Sequence, residues 1–250
     1  MSVNEKMTAI ADNIRTYTEG TEPLTLDDMA AQIPQVFDAG VKSEYDRFWD
    51  NYQENGNKTN YVRAFANNCW NNELFKPKYD ICPVQAEALF YTNNSITDPE
   101  AVLNALGLKL DFSRCTNFVQ FLSWAAVQRL SIVDTRNTTT LRLAFYAAIN
   151  LQTIEKLILA EDGSQTIESS TSFANVPKLR EIRIEGLFGQ SVSFYSSDLL
   201  SLESLRSIIN ALKDYSGTGT TQTITLNPTS KSYLTDNDIA QITQKGWTLA

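Results

Sequence analysis

The chain has 250 residues, 42% of them hydrophobic and 20% charged, with a net charge of -8. This composition is globular rather than disordered. The acidic balance argues against nucleic acid as a partner, because phosphate binding needs clustered Lys and Arg. No stretch approaches 18 uncharged apolar residues, which argues against membrane insertion. Histidine is absent, which removes Ser-His-Asp and Cys-His catalysis together with the commonest zinc ligand. The three cysteines, Cys69, Cys82 and Cys115, include no close pair. They read as small apolar residues rather than a disulfide framework.

Residues 1–6 lack the basic start and apolar run of a signal peptide. The expectation is a protein made in the cytoplasm, or a chain trimmed of its signal. Residues 3–17 carry Met7, Ile10, Ala11, Ile14 and Tyr17, the stripe of an amphipathic helix that Gly20 and Pro23 end. Thr25-Leu-Asp-Asp28 resembles a capping box and starts a second helix burying Met29, Ala30 and Ile33. Pro34 shortens or kinks that helix. A third helical pattern spans residues 41–52, with Val41, Tyr45, Phe48 and Tyr52 at heptad spacing. The run is under two heptads, short of a sustained coiled coil. It either packs on its own chain or forms an oligomerisation neck.

The polar break from Gln53 to Asn60 sets a boundary, giving a helical attachment or oligomerisation segment over 1–56. From Tyr61 to Ala88 the chain is rich in aromatics and Asn. Phe75 to Pro83 reads as strand-like between prolines, and residues 57–100 are expected to cap one end of a repeat array. In that array one phrase recurs: Val102–Ala105–Leu108–Leu110, Trp124–Val127–Leu130–Ile132, Leu151–Ile154–Leu157–Leu159 and Val176–Leu179–Ile182–Ile184. The copies close on Leu110, Ile132, Leu159 and Ile184, at intervals of 22, 27 and 25 residues, inside the roughly 20–29 residues of leucine-rich repeats. One such unit cannot bury its apolar face alone, whereas stacked units can, in a ladder of parallel strands. Glu161 to Ser172 reads as a polar surface loop between the third and fourth copies.

Beyond the repeats, Val192 to Phe194 and Thr223 to Leu226 have strand period. Leu199 to Leu212 is the clearest helix, with Ser197 or Asp198 as its expected cap. Asp236 to Gln244 reads as a last helix presenting Ile239, Ala240 and Ile242. Trp247 to Leu249 then closes the chain as a strand. The expected organisation is α/β: a short helical N-terminal part, then an irregular leucine-rich-repeat solenoid over 57–226 with its N-terminal cap, and a C-terminal cap over 227–250.

Two phrases at the ends carry a resemblance. Thr8-Ala-Ile-Ala-Asp-Asn-Ile-Arg15 with Leu24-Thr-Leu-Asp-Asp-Met-Ala-Ala-Gln-Ile33 resembles a motif of tail-fibre and minor tail proteins of phages and prophages of Gram-positive bacteria. The middle resembles BspA-type leucine-rich-repeat proteins, although the repeats differ in length and lack the regular Cys and Phe positions. Ser207 to Leu212, paired with the segment from Asp238 to Leu249, resembles the ending of phage-encoded proteins of that type. The resemblance implies a virion-associated structural protein, made in the bacterial host. Its N-terminal helices would meet other virion proteins or sister subunits, for instance in a trimer. Its repeats would bind a host surface glycan or protein. A docking or decoration protein of the particle, and a bacterial cell-surface adhesin of the same repeat class, are the alternatives.

The resemblance implies no catalytic residue and no cofactor. The carboxylate pairs Asp27/Asp28, Glu161/Asp162 and Asp236/Asp238 sit at expected helix starts or in a polar loop, where acids serve as caps and dipole partners. Gly217-Thr-Gly-Thr220 lacks the ending of a phosphate loop and reads as a turn. The candidate binding residues are aromatic and amide. Tyr91, Tyr146 and Tyr195 lie near repeat turns with Phe145 and Phe194, accompanied by Asn93, Asn94 and Asn150. Ring faces and amides suit sugars, which offer C–H surfaces and hydroxyls. On the other reading, Phe145 and Phe194 are core and the tyrosines are partly buried ends of the ladder.

Overall fold

The structure, a computed structural model, describes Thr8, Ala11, Asp12, residues 80–168 and residues 170–250. The chain divides into two compact units, Met1–Asn55 and Gly56–Ala250. In the first, Thr8, Ala11 and Asp12 are helical and Ala11 is buried. The expected neck residues Val41, Tyr45, Phe48 and Tyr52 lie outside the described residues, as do the second helix, Asp27/Asp28, Cys69 and residues 57–79.

The second unit is mixed α/β, with two small parallel sheets and short helices, and no closed barrel among the described residues. Its elements are α1 (Pro99–Ala105), β1 (Arg129–Asp134), β2 (Thr153–Ile158), β3 (Glu181–Glu185), β4 (Val192–Phe194), α2 (Leu202–Asn210), β5 (Gln222–Leu226), α3 (Pro228–Ser232), α4 (Asp236–Gln244) and β6 (Trp247–Leu249). One sheet runs β1-β2-β3 and the other β4-β5-β6.

Successive passes of the chain lie on one another through backbone hydrogen bonds. The N–H of Gln128 donates to Thr97 O (2.7 Å), Gln152 to Gln128 O (2.8 Å), Arg180 to Gln152 O (2.9 Å) and Ser201 to Arg180 O (2.9 Å). These equivalent positions are 31, 24, 28 and 21 residues apart. Residues 81–97 thus form a pass of their own, tied to the next by the bridges Ile81↔Leu110 and Gln85↔Asn117. At the other end β6 pairs with β5 and extends the second sheet.

The apolar positions of the first sheet differ in phase from the repeated phrase. Leu130, Ile154 and Ile182 are in register, and so are Val133, Leu157 and Ile184. The core positions are three apart in β1 and β2 and two apart in β3, and the register shifts between Ile154 and Leu157. Ile132 and Trp124, taken from sequence as inward anchors, are 50% and 49% exposed. In the first copy the i, i+3 part, Val102–Ala105, lies in α1, as its spacing suits, and of the closing pair Leu110 makes a single parallel bridge with Ile81 and no longer strand. The core residue of this copy is Leu103, while Ala105 is exposed. Glu161 to Ser172 is no surface loop throughout, since Gln165, Ile167 and Ser172 are buried. Gln165 accepts from Ala160 N–H (2.9 Å) and donates to the carbonyls of Thr135 and Thr138. A buried amide with both ends paired costs little.

Helices close both edges of the first sheet. On the β1 edge the Glu100 carboxylate of α1 accepts from Ser131 N–H (3.0 and 2.9 Å) and from the Ser131 hydroxyl. On the β3 edge the hydroxyls of Ser204 and Ser207 in α2 accept from the N–H groups of Ile182 (2.9 Å) and Ile184 (2.8 Å). A spacing of three puts both serines on one helix face, in the place of a fourth strand. Ser201, not Ser197 or Asp198, caps α2, accepting from Ser204 N–H. Leu205, Ile208 and Ile209 seat α2 on the core.

The C-terminal helix forms over the expected residues, with Thr235 and Asp238 making a full capping box. Of its three expected apolar contacts only Ile242 is buried; Ile239 and Ala240 face outward. Lys245 closes the C-terminal end of α2, donating to the carbonyls of Ile209 (3.1 Å), Asn210 (2.7 Å) and Leu212 (2.9 Å). The last carbonyls of a helix have no partner one turn on, so a cation there is favourable. Trp247 is buried and its Nε1 donates to Lys213 O (2.7 Å).

Candidate functional site

The site is built on a turn ribbon that crosses the early passes. Non-glycine residues with positive φ recur four apart: Ala88 and Thr92 (53° and 51°), Gln120 and Trp124 (57° and 62°), Leu143 and Ala147 (55° and 53°). Between them the backbone alternates its hydrogen bonds. Every second N–H reaches the next pass, as in Phe90 to Phe121 O (3.0 Å), Leu122 to Ala144 O (2.7 Å) and Phe145 to Ser172 O (3.1 Å). The intervening N–H groups close tight turns within their own pass, as in Tyr91 to Ala88 O and Tyr146 to Leu143 O. These donors are thereby satisfied without a regular strand.

The ribbon buries pairs of neighbours, Leu89 with Phe90, Phe121 with Leu122 and Ala144 with Phe145. Phe90, Phe145, Phe173 and Phe194 are fully buried, and with Phe121 their rings form a spine. Phe145 stacks on Phe173 at 4.9 Å between centroids, and Phe173 lies 4.7 Å from Phe194. Phe121 bridges Phe90 (5.7 Å) and Phe145 (6.4 Å). Of the two open readings of Phe145 and Phe194, the structure places both in the core. The tyrosine after Phe90, Phe145 and Phe194 turns outward. Tyr91 and Tyr146 are half-buried and Tyr195 is 58% exposed.

The backbone ladder equates Tyr91, Ser123, Tyr146 and Ala174 on four consecutive passes. Tyr195 follows on the next, which the Ser196 hydroxyl and the Phe173–Phe194 ring contact tie to the fourth. Trp124 stands beside this column. It makes an edge-to-face contact with Tyr146, 6.0 Å between centroids at 75°. The repeated phrase assigns Trp124 to the core, and its neighbours Ser123 and Ala125 are both buried, so nothing adjacent in the sequence signals its exposure. Left-handed backbone costs an L-residue with a Cβ roughly 1–2 kcal/mol, and Trp124 adopts it while exposed.

The amide candidates separate. Asn93 is fully buried, and its Oδ1 accepts from Ser95 N–H (3.0 Å), Ser95 Oγ (3.0 Å) and Ile96 N–H (2.9 Å). It holds the turn that ends its pass and is not presented to solvent, which corrects the expectation that it contacts a ligand. Asn94 is exposed. Asn150 is half-buried and accepts from Lys178 Nζ of the next pass (2.8 Å). Beside it Ile149 is 44% exposed. The exposed groups of these passes are thus aromatic, aliphatic and amide, with charge from Lys178 and from the Arg142–Glu168 pair (3.6 Å).

The acids hold turns and helix ends. The side chain of Ser164, and then its N–H (2.9 Å), bond the Asp162 carboxyl and keep it below the usual range. Asp238 is buried between Arg206 (3.0 Å) and Thr235, and the Arg206 guanidinium, first among its partners, pushes its carboxyl well below the ordinary range. Burial pushes the Cys115 thiol up to about 11, so it stays protonated and unreactive. Gly217 and Gly219 have φ of 73° and 74° in the expected turn.

Comparison with known proteins finds no matching family model, no matching curated protein and no matching solved structure.

Proposed function

We propose that the chain is a virion-associated structural protein of a phage, in a tail or other surface appendage, whose irregular leucine-rich-repeat solenoid binds a host surface. The observation that carries this reading is the outward aromatic row, Tyr91, Trp124, Tyr146 and Tyr195, on a ladder of stacked passes. Folding buries the phenylalanines and leaves these rings at the surface. Stacked repeats commonly bind through such extended surfaces without catalysis. Passes of 21–31 residues lie close to the leucine-rich-repeat range and support the solenoid. The N-terminal segment then attaches the protein to other virion proteins or to sister subunits.

Adhesion of the labelled full chain to a panel of Gram-positive cells tests the binding role. Adhesion that is lost when Trp124, Tyr146 and Tyr195 are all changed to Ala supports it; adhesion indifferent to those changes contradicts it. Light scattering tests the assembly role: a trimer fits an appendage, and a monomer favours the docking or decoration alternative.

A further inference from the structure

We infer that the outward row is a binding site for a linear polysaccharide lying along the stacking direction, across the passes rather than along one. This rests on the surface-binding reading above. Three observations carry it. First, Phe-Tyr pairs occur at 90–91, 145–146 and 194–195. The backbone ladder sets the first two on its first and third passes, with Leu122-Ser123 between, and the last follows Phe173-Ala174 through the Phe173–Phe194 contact and the Ser196 hydroxyl. Hydrogen-bonded backbones lie about 4.8 Å apart, so Tyr91 and Tyr146 are separated by roughly 10 Å, the length of about two sugar residues in an extended glycan. A periodic ligand of that repeat meets an equivalent ring at each step.

Second, the groups on offer match a sugar. Pyranose rings present a C–H face that sits on an aromatic surface and equatorial hydroxyls that bond at the rim. The edge-to-face pair of Trp124 and Tyr146 makes a corner with two ring orientations. Asn150 and Lys178 supply amide and ammonium groups on the third and fourth passes. Third, Trp124 is exposed at a left-handed position that Asn175 occupies two passes later. Asn tolerates that backbone better. The ribbon imposes that backbone on every pass, at Thr92, Ala147 and Asn175 as well; what sets Trp124 apart is a large ring with half its surface in water.

The test is an array of defined linear oligosaccharides, neutral and amino-sugar series, from one to about eight residues, which exceeds the roughly 19 Å from the first to the fifth pass. The full chain is expected to bind at least one series, with affinity climbing steeply and levelling once the chain spans the row, at about four residues. Trp124→Ala and Tyr146→Ala are expected to weaken it at least tenfold with an unchanged melting temperature. Silence across every series overturns the inference, as does an affinity complete with one sugar or unchanged in both variants. If the full chain adheres to Gram-positive cells while the array is silent, the surface-binding reading stands and the glycan falls. If it does neither, both fall.

Discussion

Phe145 and Tyr146 are chain neighbours of nearly equal size, yet they belong to different regions of the molecule. One is fully buried against Phe121 and Phe173; the other faces out beside Trp124. The inner spine is fixed by packing, so any change there is felt as lost stability. The outer row keeps Trp124 and Tyr195 49% and 58% exposed and Tyr91 and Tyr146 half-buried, so stability gives less reason for its rings. Burial alone accounts for the first set and leaves the second to be explained by something outside the chain.

The largest expected effect is on the spine. Phe145→Ala is expected to cost about 3–5 kcal/mol in urea unfolding, through lost transfer energy and the cavity left between two rings. A cost under about 1 kcal/mol would mean the spine is not the core. The ladder's helical ends come next. Ser204→Ala removes the acceptor for Ile182 N–H at a buried edge, an expected loss of about 1–3 kcal/mol. Lys245→Met takes a shared donor from three carbonyls at the end of α2, with a similar expected loss of about 1–3 kcal/mol in the same assay.

Asp238 adds a pH signature. Its folded carboxyl titrates below its unfolded value of about 3.9. The stability it contributes is therefore present above that value and lost as pH falls below it. Asp238→Asn is expected to lower stability at neutral pH and to flatten the decline of stability between about pH 4 and pH 2. An unchanged acid limb in chemical denaturation would show that the ion pair with Arg206 does not contribute. The smallest effect is at the exposed end of the outer row: Tyr195→Ala, at a ring 58% exposed, is expected to shift stability by about 0.5 kcal/mol or less.

Much of the secondary structure is legible in the sequence. The helix Asp236–Gln244 and the strands β4, β5 and β6 follow from caps, glycines and period two. The repeat period is legible too, but its phase is not. Leu130-x-Ile132 has the look of a strand pair, while the core uses Leu130 and Val133, because β1 and β2 carry one residue more than β3 between core positions. The turn ribbon leaves no standard signal. Apart from Asn175, its left-handed positions hold Ala, Thr, Gln, Leu and Trp rather than the Gly and Asn that usually mark such turns. The tyrosines of the site can be picked out by their company, yet Asn93 keeps the same company and lies inside. A short amide beside a turn serves the backbone as readily as a ligand, and only its burial decides. The recurring Phe-Tyr pair is visible in the sequence, and its regularity emerges only when the ladder sets the passes in register.

The most direct measurement compares Phe145→Ala with the triple variant Trp124→Ala, Tyr146→Ala, Tyr195→Ala, reading unfolding free energy and adhesion to Gram-positive cells on the same preparations. The prediction is a destabilised single variant, and a triple variant within about 1 kcal/mol of the parent that no longer adheres. A triple variant that adheres as the parent does, or that loses stability as the Phe145 variant does, would contradict the division between an inner spine for folding and an outer row for binding.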